Sequence, residues 1–163
     1  MHLLDTDVVW ALRGHDSAGA GDALFEWAAA QMPSTLFISA ISMMEFENGS
    51  KQLDRRDKAN GAAIRKWLEE RLRPAFQDRI IAIDDAVVRR WSHLGYSDFR
   101  DGVLAASALE HGLTLATRNV SQFRLGKVKT VNPWTYAPDA EELDWRRASQ
   151  SAPLWLKSLF VRA

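Results

Sequence analysis

Short apolar runs alternate with helical patterns along most of this chain, and that alternation constrains its fold more than any other feature. The strand-like runs are His2 to Leu4, Leu36 to Ser39, Ile80 to Ile83, Leu113 to Ala116 and Lys129 to Val131. Helical patterns cover Ala18 to Gln31, Ser42 to Gln52, Lys58 to Leu72, Ala86 to Leu94 and Asp101 to Glu110. Strands separated by helices are joined by crossovers, and each crossover lets the next strand lie parallel to the last. The expectation is an α/β domain built on a central, mostly parallel twisted sheet. Gly112 is placed to stop the Asp101 helix, Asp84 or Asp85 to cap the Ala86 helix, and Pro74 to end the Lys58 helix.

Groups at the carboxyl ends of strands in an open α/β sheet gather in one crevice. Asp5 ends the apolar pair Leu3-Leu4, Glu45 follows the Leu36 strand by under two helical turns, and Asp101 opens a helix leading into Leu113 to Ala116. These three acids are therefore candidates to converge although far apart in the chain. Converging carboxylates repel one another and stay ionised when a cation neutralises them. Cysteine is absent and the four histidines are scattered at His2, His15, His93 and His111, so a metal here must sit on oxygen. Three carboxylates completed by water suit Mg²⁺ or Mn²⁺, ions that keep several waters and hold phosphates. Such an ion can activate a water against a phosphodiester, with no histidine base required. Singly, each acid has an ordinary explanation: a loop residue, an exposed helix residue, and a helix-start acid favoured by the macrodipole. Together, in this α/β order, they are better explained by a metal.

Composition narrows the rest. A chain of 163 residues, 47% hydrophobic and with a formal net charge of zero, suits one domain and carries no overall electrostatic footprint for nucleic acid. A local basic stretch, Lys51 to Arg73, sets eight basic residues against four acidic ones and reads as a solvated helix face rather than a nucleic-acid track. Asp5 arrives too early for a signal-peptide apolar region, and no apolar run approaches bilayer length, so the expectation is a cytoplasmic protein without a membrane partner. Glycine-rich phosphate loops and a serine nucleophile elbow are absent. After Asn132-Pro133-Trp134 the composition turns charged from Pro138 to Arg147, then apolar from Leu154 to Phe160. Residues 1–137 thus form the expected domain, and 138–163 a C-terminal extension outside the sheet. Trp10, Trp27, Trp67 and Trp91 fall on helical patterns as core or subunit-interface residues, while Trp145 and Trp155 in the extension suit an interface.

The blocks Leu3-Leu4-Asp5-Thr6-Asp7-Val8-Val9, Phe37-Ile38-Ser39-Ala40-Ile41-Ser42 leading to Glu45, and Asp101 through Asn119 resemble the PIN-domain ribonucleases. The similarity is greatest to the VapC and FitB-like toxins of bacterial toxin–antitoxin pairs, and it runs to Val131-Asn132-Pro133-Trp134 over roughly the first four-fifths of the chain. The resemblance implies a PIN-like three-layer sandwich, a Mg²⁺- or Mn²⁺-dependent endoribonuclease acting on RNA, a homodimer, and a cognate antitoxin that joins it in a hetero-oligomer. It also implies that Asp5, Glu45 and Asp101 are the acidic metal ligands and Asn119 the fourth catalytic position. Thr6 and Thr117 are supporting polar residues on the same reading. Asp7 departs from the pattern, standing where asparagine is frequent, and Gln122 replaces an aspartate often found before the equivalent of Phe123. With Asn119 neutral, the site carries less negative charge than a four-acid version.

Asp5-Thr6-Asp7-Val8-Val9 after an apolar strand is also similar to the nucleophile motif of haloacid-dehalogenase-type phosphatases, with Asp84-Asp85 as their acidic pair. There Asp5 would attack phosphate and Asp7 would serve as general acid. That alternative leaves the Asp101 block unexplained. A third reading, suggested by Asn119 and Gln122, is a catalytically weak binding module.

Overall fold

The computed structural model of the chain describes residues 1–14, 23–137 and 153–160. Its centre is β1 (His2–Leu4), which pairs in parallel with β2 (Leu36–Ser39) on one side and β4 (Thr114–Ala116) on the other. Two edge strands, β3 (Ile80–Ile81) beside β2 and β5 (Thr130–Val131) beside β4, complete the order β3-β2-β1-β4-β5. Every pairing is parallel. The register sets Leu3 against Phe37 and Leu115, and Leu4 against Ile38 and Ala116.

Helices cover both faces. They are α1 (Thr6–Gly14), α2 (Ala23–Ala30), α3 (Ala40–Asp54), α4 (Lys58–Trp67), a short α5 (Arg73–Ala75), α6 (Asp85–Ser92), α7 (Phe99–Glu110) and α8 (Leu154–Phe160). Successive side chains of a strand point to opposite faces, so neighbours in β1 feed different cores. Leu4 and Ala116 join Val8, Leu12, Leu24, Trp27, Phe46 and Trp67 on one side. Leu3 and Leu115 join Val87, Val103, Leu104 and Phe123 on the other. Both leucines of β1 are wholly buried, which is why the strand reads as a continuous apolar run. This is the expected three-layer sandwich.

Side-chain caps start four of these helices. The Ser39 hydroxyl accepts from the Ile41 amide, Asp57 from Asn60, Asp84 from Val87 and Asp98 from Asp101, satisfying amides that have no partner inside the helix. Asp98 therefore starts α7, and Asp101 lies inside its first turn rather than opening it. Gly112, with a φ of +62°, follows α7 as expected. Gly102 lets α7 approach α6 closely, since a Cβ there would lie 2.7 Å from Trp91 Nε1.

Several expectations need correction. Pro74 does not end the Lys58 helix. After Trp67 the chain widens into a π-helical turn, Leu68–Leu72, in which the Arg73 amide bonds to the Leu68 carbonyl, and it stays helical to Ala75. Pro74, which brings no N–H, follows directly on this change of register, in the last turn of the helical run. Helix α1 was not expected from the pattern, although Trp10 was placed on a helix, and β3 is half its expected length. The start of the Ala18 helix lies outside the described residues, as do the charged stretch from Pro138 and Trp145.

Helix α8 lies outside the sheet yet enters the core. Leu156, Leu159 and Phe160 are fully or almost fully buried beside Trp67 and Leu72, and the Trp67 indole donates to the Leu159 carbonyl at 2.9 Å. Trp155 is half-buried against the same cluster rather than exposed for a partner. Phe160→Ala should lower stability by about 3–5 kcal/mol, the usual cost of truncating a buried phenylalanine. Chemical denaturation checks this, and a loss below about 1 kcal/mol would mean that α8 is dispensable to the core.

Candidate active site

Connections from β1 run outward through β2 to β3 in one direction, and the chain then returns to β4 on the other side. The carboxyl ends of β1 and β4 are therefore the topological switch point, where an open α/β sheet leaves a crevice. Asp5 is the first residue past β1, and its amide donates to the Ala116 carbonyl at 3.0 Å. Thr117 is the first residue past β4, wholly buried, and its hydroxyl donates to Asp5 Oδ2 at 2.7 Å. The opposite oxygen, Asp5 Oδ1, accepts the Thr6 amide at 2.7 Å. Asp5 thus sits at the amino end of α1, where the helix dipole favours an anion.

The remaining acids arrive from two other helices. Glu45 projects from the second turn of α3, and its Oε2 accepts a short hydrogen bond from the Thr6 hydroxyl. Asp101 is nearly buried, and Arg100 beside it donates from Nη1 to Glu45 Oε1 at 2.8 Å and from Nη2 to Asp101 Oδ1 at 3.2 Å. Asn119 is exposed and joins through its backbone, its amide donating to Thr117 Oγ1 at 3.1 Å. A continuous path therefore runs from Asn119 through Thr117, Asp5, Thr6, Glu45 and Arg100 to Asp101. Among the described residues no three acidic or imidazole groups close into a metal cage. The acids are instead linked in turn by Thr6, through its amide and its hydroxyl, and by the Arg100 guanidinium.

Burial dominates the electrostatics. It pushes the Asp5 carboxyl up to about 6, with the Asp7 charge adding to the rise, while the Thr117 and Thr6 donors and the Arg100 charge oppose it. Burial also raises Asp7, against the amides of Val8 and Arg118 and the charges of Arg118 and Arg100. Asp7 Oδ1 is buried with no hydrogen-bond partner among the described residues. A carboxylate held back from ionisation, beside an orphaned carboxylate oxygen, gains from a nearby cation. The carboxylate oxygens of Asp5, Glu45 and Asp101 are donors of the type a hard divalent ion takes, and the Thr117 and Thr6 hydrogen bonds fix the orientation of Asp5 and Glu45.

Sequence patterns did not single out Arg100 or Arg118. A signal existed for Arg100, since a cation in the first turn of a helix opposes the dipole and calls for a reason. Arg118 lies over the Trp134 ring, 4.1 Å from its centroid, which ties the Thr117-Arg118-Asn119 turn to the Asn132-Pro133-Trp134 turn. The proposed phosphatase pair is otherwise engaged: Asp84 caps α6 and Asp85 pairs with Arg89. Part of the basic stretch is paired as well, Arg65 with Asp54, Lys66 with Glu70, and Arg73 with Glu47 and Glu69.

Comparison with known families decides among these readings. The family model for the PIN domain matches residues 2–128. The chain belongs to the PIN-domain family. Nucleases of this family generally depend on a divalent metal. The PIN chain is similar to a VapC ribonuclease of Sinorhizobium fredii, 30% identical over 142 residues covering 82% of this chain and 98% of the relative. It is similar to the toxin FitB of Neisseria gonorrhoeae, 29% identical over 143 residues covering 82% and 99%. Among solved structures, FitAcB from Neisseria gonorrhoeae matches with a TM-score of 0.73 and 27% identity over 83% of this chain and 99% of that one. Among the described residues of this PIN domain, no helix is long and apolar enough to cross a membrane.

The buried Asp5 predicts a pH signature in the metal-free protein. Between its ordinary 3.8 and about 6, the folded chain keeps a proton that the unfolded chain has lost. Stability therefore falls as pH rises through that window, by about 3 kcal/mol in all. Metal-free Asp5→Asn should match the wild type near pH 4 and exceed it by up to about that amount at pH 7. Urea melts across the range test this; a gap that does not widen with pH would show that Asp5 ionises freely.

Proposed function

We propose that this PIN domain is a divalent-metal-dependent endoribonuclease acting in the cytoplasm as the toxin of a toxin–antitoxin pair. The observation that carries the proposal is the hydrogen bond from Thr117 to Asp5 across the switch point. Asp5, so anchored, is joined through Thr6 to Glu45 and through Arg100 to Asp101, in a chain similar to a named VapC ribonuclease.

On this reading Asp5, Glu45 and Asp101 are the residues that would hold Mg²⁺ or Mn²⁺. When bound, the ion supplies charge neutralisation for a phosphodiester and lowers the cost of deprotonating an attacking water. The chain's own groups do the rest. Thr117 and Thr6 clamp both oxygens of Asp5, and the Thr6 hydroxyl orients Glu45, so that the carboxylates need not reorganise when substrate arrives. On this reading the exposed Asn119 would hydrogen-bond a substrate oxygen or a bound water. No histidine takes part.

The partner follows from the relatives. A solved structure of FitAB bound to the IR36 DNA fragment contains a chain to which this protein is 26% identical with a TM-score of 0.71. The proposed assembly is a toxin homodimer joined by an antitoxin, an arginine or lysine of which neutralises the acidic site. Expression of the chain alone should arrest growth, and the neighbouring gene product should relieve the arrest and co-purify with it.

Asp5→Asn, Glu45→Gln and Asp101→Asn should each lower divalent-dependent cleavage of structured RNA by about a hundredfold or more while leaving the fold intact. Normal cleavage by Asp101→Asn would remove this site from the reaction. Asp7→Asn separates the phosphatase alternative: the ribonuclease reading expects RNA cleavage to persist, whereas loss of activity with phosphate trapped on Asp5 would favour the covalent mechanism.

A further inference from the structure

Arg100 stands out because two ordinary rules argue against its position. It occupies the second residue of α7, where the helix dipole disfavours a cation, and it orders a long side chain that remains about half exposed. What holds it there is the acid pair. Its two terminal nitrogens reach Glu45 Oε1 at 2.8 Å and Asp101 Oδ1 at 3.2 Å, while Nε lies 4.0 Å from Asp98. One guanidinium thus bridges two carboxylates, those of Glu45 and Asp101, 56 positions apart in the sequence, that would otherwise repel each other across the crevice. The third acid, Asp5, also feels the Arg100 charge, though without a direct bond.

We propose that Arg100 is the resident counter-cation of the acidic crevice and that a divalent ion binds by displacing it from Glu45 and Asp101. The inference rests on the metal reading given above. A divalent ion held by Glu45 and Asp101 would draw on the same two carboxylates that the guanidinium engages, and the two cations would repel each other there. Displacement is feasible because the Arg100 side chain is half in water, where ion pairs are screened and each contributes modestly. The guanidinium also has a flexible stem on which to withdraw. The arrangement offsets the repulsion between the two carboxylates in the absence of metal and weakens metal affinity. It makes the crevice responsive to divalent concentration instead of permanently loaded.

The test is Mn²⁺ binding without RNA, followed by electron paramagnetic resonance of free Mn²⁺, on the wild type, Arg100→Gln, Arg100→Lys and Asp101→Asn. Loss of two screened ion pairs should tighten Mn²⁺ binding by Arg100→Gln about three- to tenfold. Arg100→Lys, which keeps the charge but not the two-pronged fork, should fall between Arg100→Gln and the wild type. Metal-free Arg100→Gln should also melt at a lower temperature than the wild type, with a larger rise on adding Mn²⁺. Equal or weaker Mn²⁺ binding by Arg100→Gln, with binding still lost in Asp101→Asn, would overturn the displacement and leave the metal site standing. Binding that Asp101→Asn does not weaken would overturn the site reading itself, and the displacement with it.

Discussion

The arrangement of this protein depends on one buried strand. β1 is only three residues long, yet it carries ladder partners on both sides and a core on both faces. Asp5, the next residue, is consequently fixed in position before any side-chain interaction is counted. Its amide is held by the neighbouring strand, and its carboxylate emerges where no further strand covers it. Thr117 leaves β4 in the same register, and the hydrogen bond between them couples two chain segments separated by 112 residues. A slip of one residue in either strand would turn Asp5 or Thr117 to the wrong face.

Around that anchor the site is an exercise in balancing charge at low dielectric. Asp5, Asp7 and Asp101 are brought to helix amino ends, which favour anions, with Glu45 a turn further along α3, but burial still raises Asp5 and Asp7. Hydroxyls of Thr6 and Thr117 and the guanidinium of Arg100 supply the compensation available within the chain. It is incomplete, as the unpartnered Asp7 oxygen attests. A crevice that is under-neutralised by its own residues is suited to a divalent ion and to the phosphate that such an ion carries.

The opposite side of the same core shows how support is distributed. Trp67 stacks near Trp10, meets Phe46 edge-on and holds the Leu159 carbonyl, so α1, α3, α4 and α8 share one aromatic centre. Those helices include the ones that present Thr6 and Glu45. Packing contributed by the end of the chain therefore bears on the precision of the crevice, although α8 lies outside the stretch that matches the family model.

The alternation of strands and helices, the parallel sheet and the candidate acids were legible in the residues, because period-two and period-3.6 apolar patterns report local geometry and a carboxylate after a strand reports a sheet edge. The caps at Asp84 and Gly112 were legible for the same local reason. The π-helical turn before Pro74, the burial of α8 and the placement of Arg100 were not. Each depends on groups distant in the chain: the packing of Leu72 in the shared core, the indole of Trp67 beneath Leu159, and the carboxylate of Glu45 opposite Arg100. Sequence alone determined which chemistry the chain carries, since residue types and their local periodicity are written in it. Only the tertiary structure decided which charges meet, because the order of strands in the sheet sets the neighbours of an acid and the local pattern does not.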